Sequence, residues 1–320
     1  MADEKQNAGS GDEQKGNRDG EPAGGAAGRT GGSKRDIVDV LKTIDRRIIF
    51  FLIALAVVIP LVLNLVFSVR TSPIVEAIFD KVESLPPGSK ILVSFDYGPS
   101  TVPENQPMAE AVVRHALQRN LKVYMMAVWA TGPPQTTVLV RNVIDRDFPN
   151  KVYGRDWINL GYKAGNQGLI NAILLDLKGM YTTDVAGAPI NSFEMMQDVH
   201  NLTDMSFIVC IGSGFPGVRE WVQFAGDPGN IPIAGAVTAV EAPLLYPYYP
   251  RQLLGLMGGL QGAAEYEAAV AKNYPHFGPD AQQAVRLMGP QTVAHLVIIA
   301  FVVIGNIAFF AERRRGRKKA

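Results

Sequence analysis

The chain has 320 residues, a formal charge of +1 and 47% hydrophobic residues, enough for one large or two small domains. Charge is unevenly spread: residues 70–290 are mildly acidic, which excludes a basic face for nucleic acid, whereas six cations crowd residues 312–320. A single cysteine, Cys210, excludes a disulfide framework within the chain and a cysteine-based metal site.

Residues 1–34 carry no aromatic residue and, after Met1, no large aliphatic one. Such a stretch has nothing to bury, and a disordered tail is predicted. In residues 35–47, Ile37, Leu41 and Ile44 lead to Ile48 at helical spacing, the pattern of an amphipathic juxtamembrane segment. Residues 48–69, "IIFFLIALAVVIPLVLNLVFSV", are uncharged and long enough for transmembrane helix 1. A cleaved signal peptide fits worse, because the leader is long and no A-x-A site follows the run.

From Lys90 the pattern alternates. Strand-like runs are Lys90–Tyr97, Leu121–Ala130, Asp156–Tyr162, Ser206–Gly212 and Ile231–Ala239. Helix-like segments between and after them are Glu104–Arg119, Gln135–Asp147, Asn166–Gly179, a short one near Phe193–His200, Val218–Phe224 and Arg251–Lys272. Short, near-continuous apolar strands alternating with helices predict an α/β domain over residues 70–290. Its sheet would be doubly wound, mostly parallel and five-stranded (Rossmann/flavodoxin-like), inserted between two transmembrane helices.

In such sheets ligands bind beyond the carboxyl ends of the strands. Those ends supply Asp96 and Tyr97, then Trp129, then Lys163 with Asn166 and Gln167, then Ser213 and Gly214, and finally Thr238 with Glu241. The rim is polar and of mixed charge, and suits a small polar ligand. Loops are polar in any case, so the set carries more weight than its members.

Two glycine loops open helices. "GSGFPG" places Gly212, Gly214 and Gly217 in the dinucleotide spacing, with Glu241 near the end of the following strand. Against that reading, the loop follows the fourth strand, Pro216 stiffens it, and it falls in the segment expected outside the cytoplasm. Glycines also serve tight turns without a ligand, and the loop's N–H groups could hold another anion. "GYKAGNQG" (Gly161–Gly168) lacks the arrangement of a nucleoside-triphosphate loop, which leaves an anion contact by Lys163 or a plain turn. "DYGPST" (Asp96–Thr101) is followed by prolines and a helix, unlike the phosphate loop of actin-like ATPases. The four histidines, His115, His200, His276 and His295, form no H-x-x-x-H or H-E-x-x-H, and G-x-S-x-G is absent. No cofactor and no metal site is expected.

Gly255, Gly259 and Gly262 recur at helical spacing and allow close backbone approach, to the domain's own sheet more readily than to a neighbouring subunit. "LLYPYYP" (Leu244–Pro250) offers three tyrosines for a lipid surface or the crevice. Residues 291–311 then form transmembrane helix 2, and 312–320 a basic tail. Cations gather before the first span and after the second, which places both termini in the cytoplasm and the domain outside. Asn64 and His295 sit at similar depth in the two spans, where they either hydrogen-bond to each other or meet the interface.

The stretches "DWINLGYKAGNQGLI", "EWVQFAGDPGNIPIAGAVTAVEAPLLYPYY" and "GGLQGAAEYE" are together similar to an uncharacterised group of bacterial and archaeal membrane proteins. In that group one α/β domain lies between two membrane helices, and the resemblance covers most of residues 75–310. It implies the two-span architecture and carries no activity.

The expected function is therefore a membrane-anchored extracytoplasmic domain that binds a small polar ligand or a partner protein within a membrane assembly or homo-oligomer. Its partners would be the bilayer and such subunits, with no nucleic acid. An extracytoplasmic transferase or hydrolase using Asp96, Lys163 or Glu241 is the alternative, and a cytoplasmic nucleotide-binding domain a third.

Overall fold

A computed structural model describes residues 45–319. The expected disordered tail and nearly all of the juxtamembrane segment lie outside the described residues. Helix α1, Arg46–Val62, is capped by the Asp45 side chain, which accepts from the Arg47 N–H at 2.9 Å. It ends earlier than the sequence suggested. Asn64 takes φ +47°, the Leu65 N–H donates to the Pro60 carbonyl, and the Asn64 N–H donates to that of Leu61. This is a Schellman stop with asparagine in the left-handed position. Residues 63–72 are not helical. Asn64 therefore terminates a helix instead of pairing across one. No hydrogen bond joins it to His295 among the described residues.

Helix α2, Pro73–Ser84, was not anticipated; it buries Val75, Ile78, Phe79 and Val82. The chain then alternates through β1 (Lys90–Asp96), α3 (Val102–Gln118), β2 (Lys122–Ala127) and α4 (Gly132–Leu139), the last continued by a π-helical turn over Val140–Ile144. Next come β3 (Trp157–Tyr162), α5 (Asn166–Leu175), β4 (Phe207–Gly212), α6 (Val218–Trp221) and β5 (Ile233–Val237). A sixth strand follows, β6 (Gly255–Gly258), then α7 (Gly259–Asn273) and α8 (Gln283–Lys319).

All strand pairs are parallel, in the order β3-β2-β1-β4-β5-β6. The sheet thus has six strands where five were expected. The reason lies in the glycines: a Cβ on Gly255 would meet Ile78 and the Ile74 carbonyl, and one on Gly262 would meet the Met257 backbone. The helix-like glycine spacing is really a strand and the helix that folds back on it, packed against the domain's own sheet.

Side chains alternate across the sheet. Ile91, Val93 and Phe95 of β1 enter a core with α2, α3 and α7, whereas Leu92 enters the opposite core with α5 and α6. Each such large side chain contributes roughly 1.5–3 kcal/mol by burial. Cys210 is a buried free thiol in the second core, as its apolar surroundings in the sequence implied.

Helix α7 joins the body to the segment that follows α1 and to the start of α8 through two carboxylates. Glu265 accepts from the Ser72 N–H at 2.9 Å and from the Ser72 hydroxyl, at the start of α2. Glu267 accepts from the Val285 N–H at 3.0 Å in the first turn of α8, where helix N–H groups lack intrahelical partners. Burial raises the Glu267 carboxyl to about 7, with the Val285 and Ala284 N–H groups pulling it back. Helix α8 is the one helix among the described residues that is long and apolar enough to cross a membrane, over Gln283–Ala311. It continues past the expected boundary at Ala311 into the basic segment. Helices α1 and α8 pack together, and a Cβ on Gly289 would lie 2.0 Å from the Leu65 carbonyl oxygen.

Candidate functional site

The strand order reverses direction between β1 and β4, and at such a switch point the loops beyond the carboxyl ends diverge. At the β1 end, however, the structure is closed. Asp96 is fully buried. One of its oxygens accepts from the Val128 N–H at 2.8 Å; the other accepts from Ser94 Oγ at 2.7 Å, Trp221 Nε1 at 2.8 Å and Cys210 Sγ at 3.5 Å. Burial raises its carboxyl to about 6, and the Val128, Ser94 and Trp221 donors restrain the rise. A carboxylate so fully engaged joins β1, β2, β4 and α6. Tyr97 is equally inward: its hydroxyl donates to Gln106 Oε1 at 2.6 Å, and burial, then the Glu110 charge, pushes it far up.

The residues above Asp96 close on one another. Trp129 donates to the Pro216 carbonyl at 2.7 Å and lays its ring on Gly214. Thr101 donates to Ser213 Oγ at 3.1 Å. Lys163 points elsewhere, with its ammonium on the Met180 carbonyl and 5.3 Å from the centre of the Tyr181 ring. Asn166 and Gln167 are exposed at the start of α5. Of the ten residues chosen from the sequence, Asp96 and Tyr97 are sealed inside, Trp129 and Ser213 close over them, and Lys163, Asn166 and Gln167 lie apart.

In the loop Ser213–Gly217 the glycines have steric reasons of their own. A Cβ on Gly217 would lie 2.2 Å from the Gly214 carbonyl oxygen, and Gly214 takes φ +148° beneath Trp129. The N–H of Gly217, which a phosphate would need, donates instead to Glu220 Oε2 at 2.8 Å. That N–H is thus taken by the protein's own carboxylate. A glutamate three residues past the last glycine is the capping signal that the sequence reading missed.

Beyond the ends of β4 and β5 the structure opens. A cleft of about 370 Å³ is lined by Gly214, Phe215, Arg219, Glu220, Glu241, Leu244, Leu245 and Tyr248. Thr238 is buried at its root, where its carbonyl accepts from the N–H groups of Glu241 and Ala242 and starts the one-turn helix Ala242–Leu245. Glu220 is committed to Gly217 and, at 3.0 Å, to Arg219 Nε. Glu241 is different: its half-buried carboxyl has no hydrogen-bond partner among the described residues. Burial, and then the Glu220 charge, raises it to about 7, while Arg219 acts in the opposite sense. A larger hollow of about 500 Å³ lies at the amino end of β5, away from the switch point, and its Asp227 is already paired with Gln252. Among the described residues no group of three His, Cys, Asp or Glu side chains is placed to hold a metal ion.

No family model, no curated protein and no solved structure matches the chain.

Proposed function

We propose that the chain is a membrane-anchored protein whose α/β body binds a small polar ligand in the cleft between Phe215 and Tyr248. One observation carries the reading: Glu241 holds an unpartnered, partly desolvated carboxyl at the end of β5, flanked by a neighbour of each charge. An unpaired half-buried polar group is costly until something pairs with it. The chemistry suits a ligand that offers hydrogen-bond donors, such as a hydroxyl or an amine.

The anchor is a hairpin of two spans, α8 and the apolar run that begins with α1. Supporting it, both helices turn large apolar side chains outward, including Phe50, Phe51, Val302 and Ile307. Small buried residues, Ala56, Pro60 and Ala308, lie where the two helices pack, as in membrane helix pairs. The cation distribution supports an orientation with both termini in the cytoplasm and the body outside. Protease added to intact spheroplasts then digests the body and spares the tails. The doubly wound class, the kinship to the two-span group and a place in a larger assembly belong to the same proposal.

A transferase or hydrolase would use Glu241 for proton transfer, but the partners it needs are engaged: Asp96 and Glu220 are saturated and Lys163 is held at Met180. Binding without chemistry is the better-supported reading. The test is native mass spectrometry of protein purified in mild detergent. Wild type carries a bound small molecule that Glu241→Gln lacks. A wild-type protein that arrives without any bound molecule overturns the proposal.

A further inference from the structure

We infer that the carboxyl end of the sheet lies on the lipid surface, with Phe215, Val240, Leu244 and Tyr246 inserted at the boundary between headgroups and acyl chains. The inference rests on the membrane anchoring proposed above and adds an interaction surface to it.

Chain direction fixes which end of the body faces the apolar helices. All six strands run the same way, and α2 runs against them. Ile78, in its second turn, and the carbonyl of Ile74 meet Gly255 at the start of β6, while Ser72 at its N-cap shares a hollow with Gly258 at the end of that strand and with Tyr246. The chain thus comes from α1 to the carboxyl end of the sheet. Helix α8 leaves from the same end: its first turn sits on Glu267 in mid-α7, and Gly289 has already reached Leu65. Helix α7 runs away from the carboxyl end, so α8, packed beside it and returning, heads toward that end. Both connectors depart beside β6. The neighbouring strands β5 and β4 lie roughly 5 and 10 Å further across the sheet.

From those two strand ends project four of the five most exposed large apolar side chains of the body. Phe215 is 56% exposed, Val240 86%, Leu244 72% and Tyr246 55%. Single exposed apolar residues are ordinary, but a cluster around one end is not. Tyr246 shares its hollow with Ser72, and the outward apolar residues Val66 and Phe67 precede Ser72 in the non-helical stretch that leads from α1. The collar is thereby linked, through Tyr246, to the stretch that leads from α1. An amphipathic ring such as that of Tyr246 settles at headgroup level in a membrane interface. Leu175, 79% exposed, stands at the far end of α5, near the amino end of the sheet, and faces away.

The experiment uses full-length protein in phosphatidylcholine vesicles that contain lipids with a spin label near the headgroup or deeper in the acyl chain. An environment-sensitive fluorophore is placed in turn at Leu244→Cys, Leu175→Cys and Val302→Cys; the buried native Cys210 stays unlabelled in folded protein. The inference expects loss of emission from position 244 with the shallow label, from 302 with the deeper label, and none from 175. If 302 is quenched while 244 behaves like 175, the anchor stands and the docking surface is overturned. If 302 is not quenched, the anchor itself fails and takes this inference with it. Shielding of position 244 in detergent solution, with no lipid quenching in vesicles, would identify a protein subunit as the occupant and also overturn it.

Discussion

Two carboxylates stand at corresponding places in the sheet, Asp96 at the end of β1 and Glu241 just past β5, and the fold treats them oppositely. Asp96 accepts four hydrogen bonds and is sealed from solvent; Glu241 accepts none among the described residues and borders an open cleft. Both have raised pKa values, to about 6 and about 7, with burial as the first cause. Burial alone therefore does not mark a functional group. The distinguishing feature is whether the protein has already spent the group's hydrogen-bonding capacity.

The contrast is broken most directly at Asp96. Asp96→Ala leaves the Val128 N–H, the Ser94 hydroxyl and the Trp221 indole N–H without their acceptor in a dry interior. A loss of about 3 kcal/mol is expected, because each orphaned buried donor is penalised. Chemical denaturation in detergent, followed by tryptophan fluorescence, measures it. A loss within experimental error of zero would show that Asp96 is not the structural tie described here. The loop between the two sites comes next. Gly217→Ala forces a Cβ against the Gly214 carbonyl oxygen, and a backbone shift of that kind costs about 2 kcal/mol. It also moves the Gly217 N–H off Glu220, so the same variant loosens ligand binding, which calorimetry with the co-purified molecule reads.

Parts of this arrangement were legible in the sequence and parts were not. The five runs rich in Val, Ile, Phe and Met became strands because a parallel sheet covered on both faces needs apolar residues at every position. β6 escaped because "GLMG" is short and its glycines fit a helical spacing equally well; only the nearness of Ile78 and Ile74 explains them. Helix α2 was overlooked although Ser72-Pro73 is an ordinary helix start and Val75, Ile78, Phe79 and Val82 share one face. At the site, two of the residues that the strand-end rule named, Glu241 and Gly214, line the cleft. It could not separate them from Asp96 or Lys163, since side-chain direction at a strand end depends on which neighbours supply donors. Arg219, Glu220 and Tyr248 sit on the following helices, where the rule does not look.

At Glu241 the expected effect on stability is small and its sign is informative. The folded-state carboxyl lies near 7 against an ordinary value of 4.5, so the folded protein binds the proton more tightly. Stability from this group therefore falls as pH rises through that window and is level above it. Glu241→Gln removes the slope. Solvent screening at a half-exposed site limits the gain to about 1 kcal/mol or less near pH 8, with none near pH 4. Thermal unfolding of the two proteins across this pH range checks it. Ligand binding, by contrast, should be lost. A variant that is no less stable yet no longer binds is the signature that separates a site from a strut.

The smallest effect tests the electrostatics of the cleft alone. Glu220 raises the Glu241 pKa and Arg219 lowers it, although the two side chains are bonded to each other 3.0 Å apart. If they acted only as a neutral pair, removing either would leave the Glu241 titration where it is. Because each acts on Glu241 separately, Arg219→Ala should move the titration upward and Glu220→Gln should move it downward. Carbon NMR of the Glu241 carboxyl in isotope-labelled protein reads both midpoints directly. Glu220→Gln keeps an oxygen to accept from the Gly217 N–H, so the loop is retained and the shift reports charge. Movement of both titrations in one direction would mean that the cleft rearranges when the pair is broken, and that Glu241 is set by loop position more than by its charged neighbours. Opposite movements would place a tunable acid at the mouth of the cleft, responsive to whatever charge a ligand brings beside it.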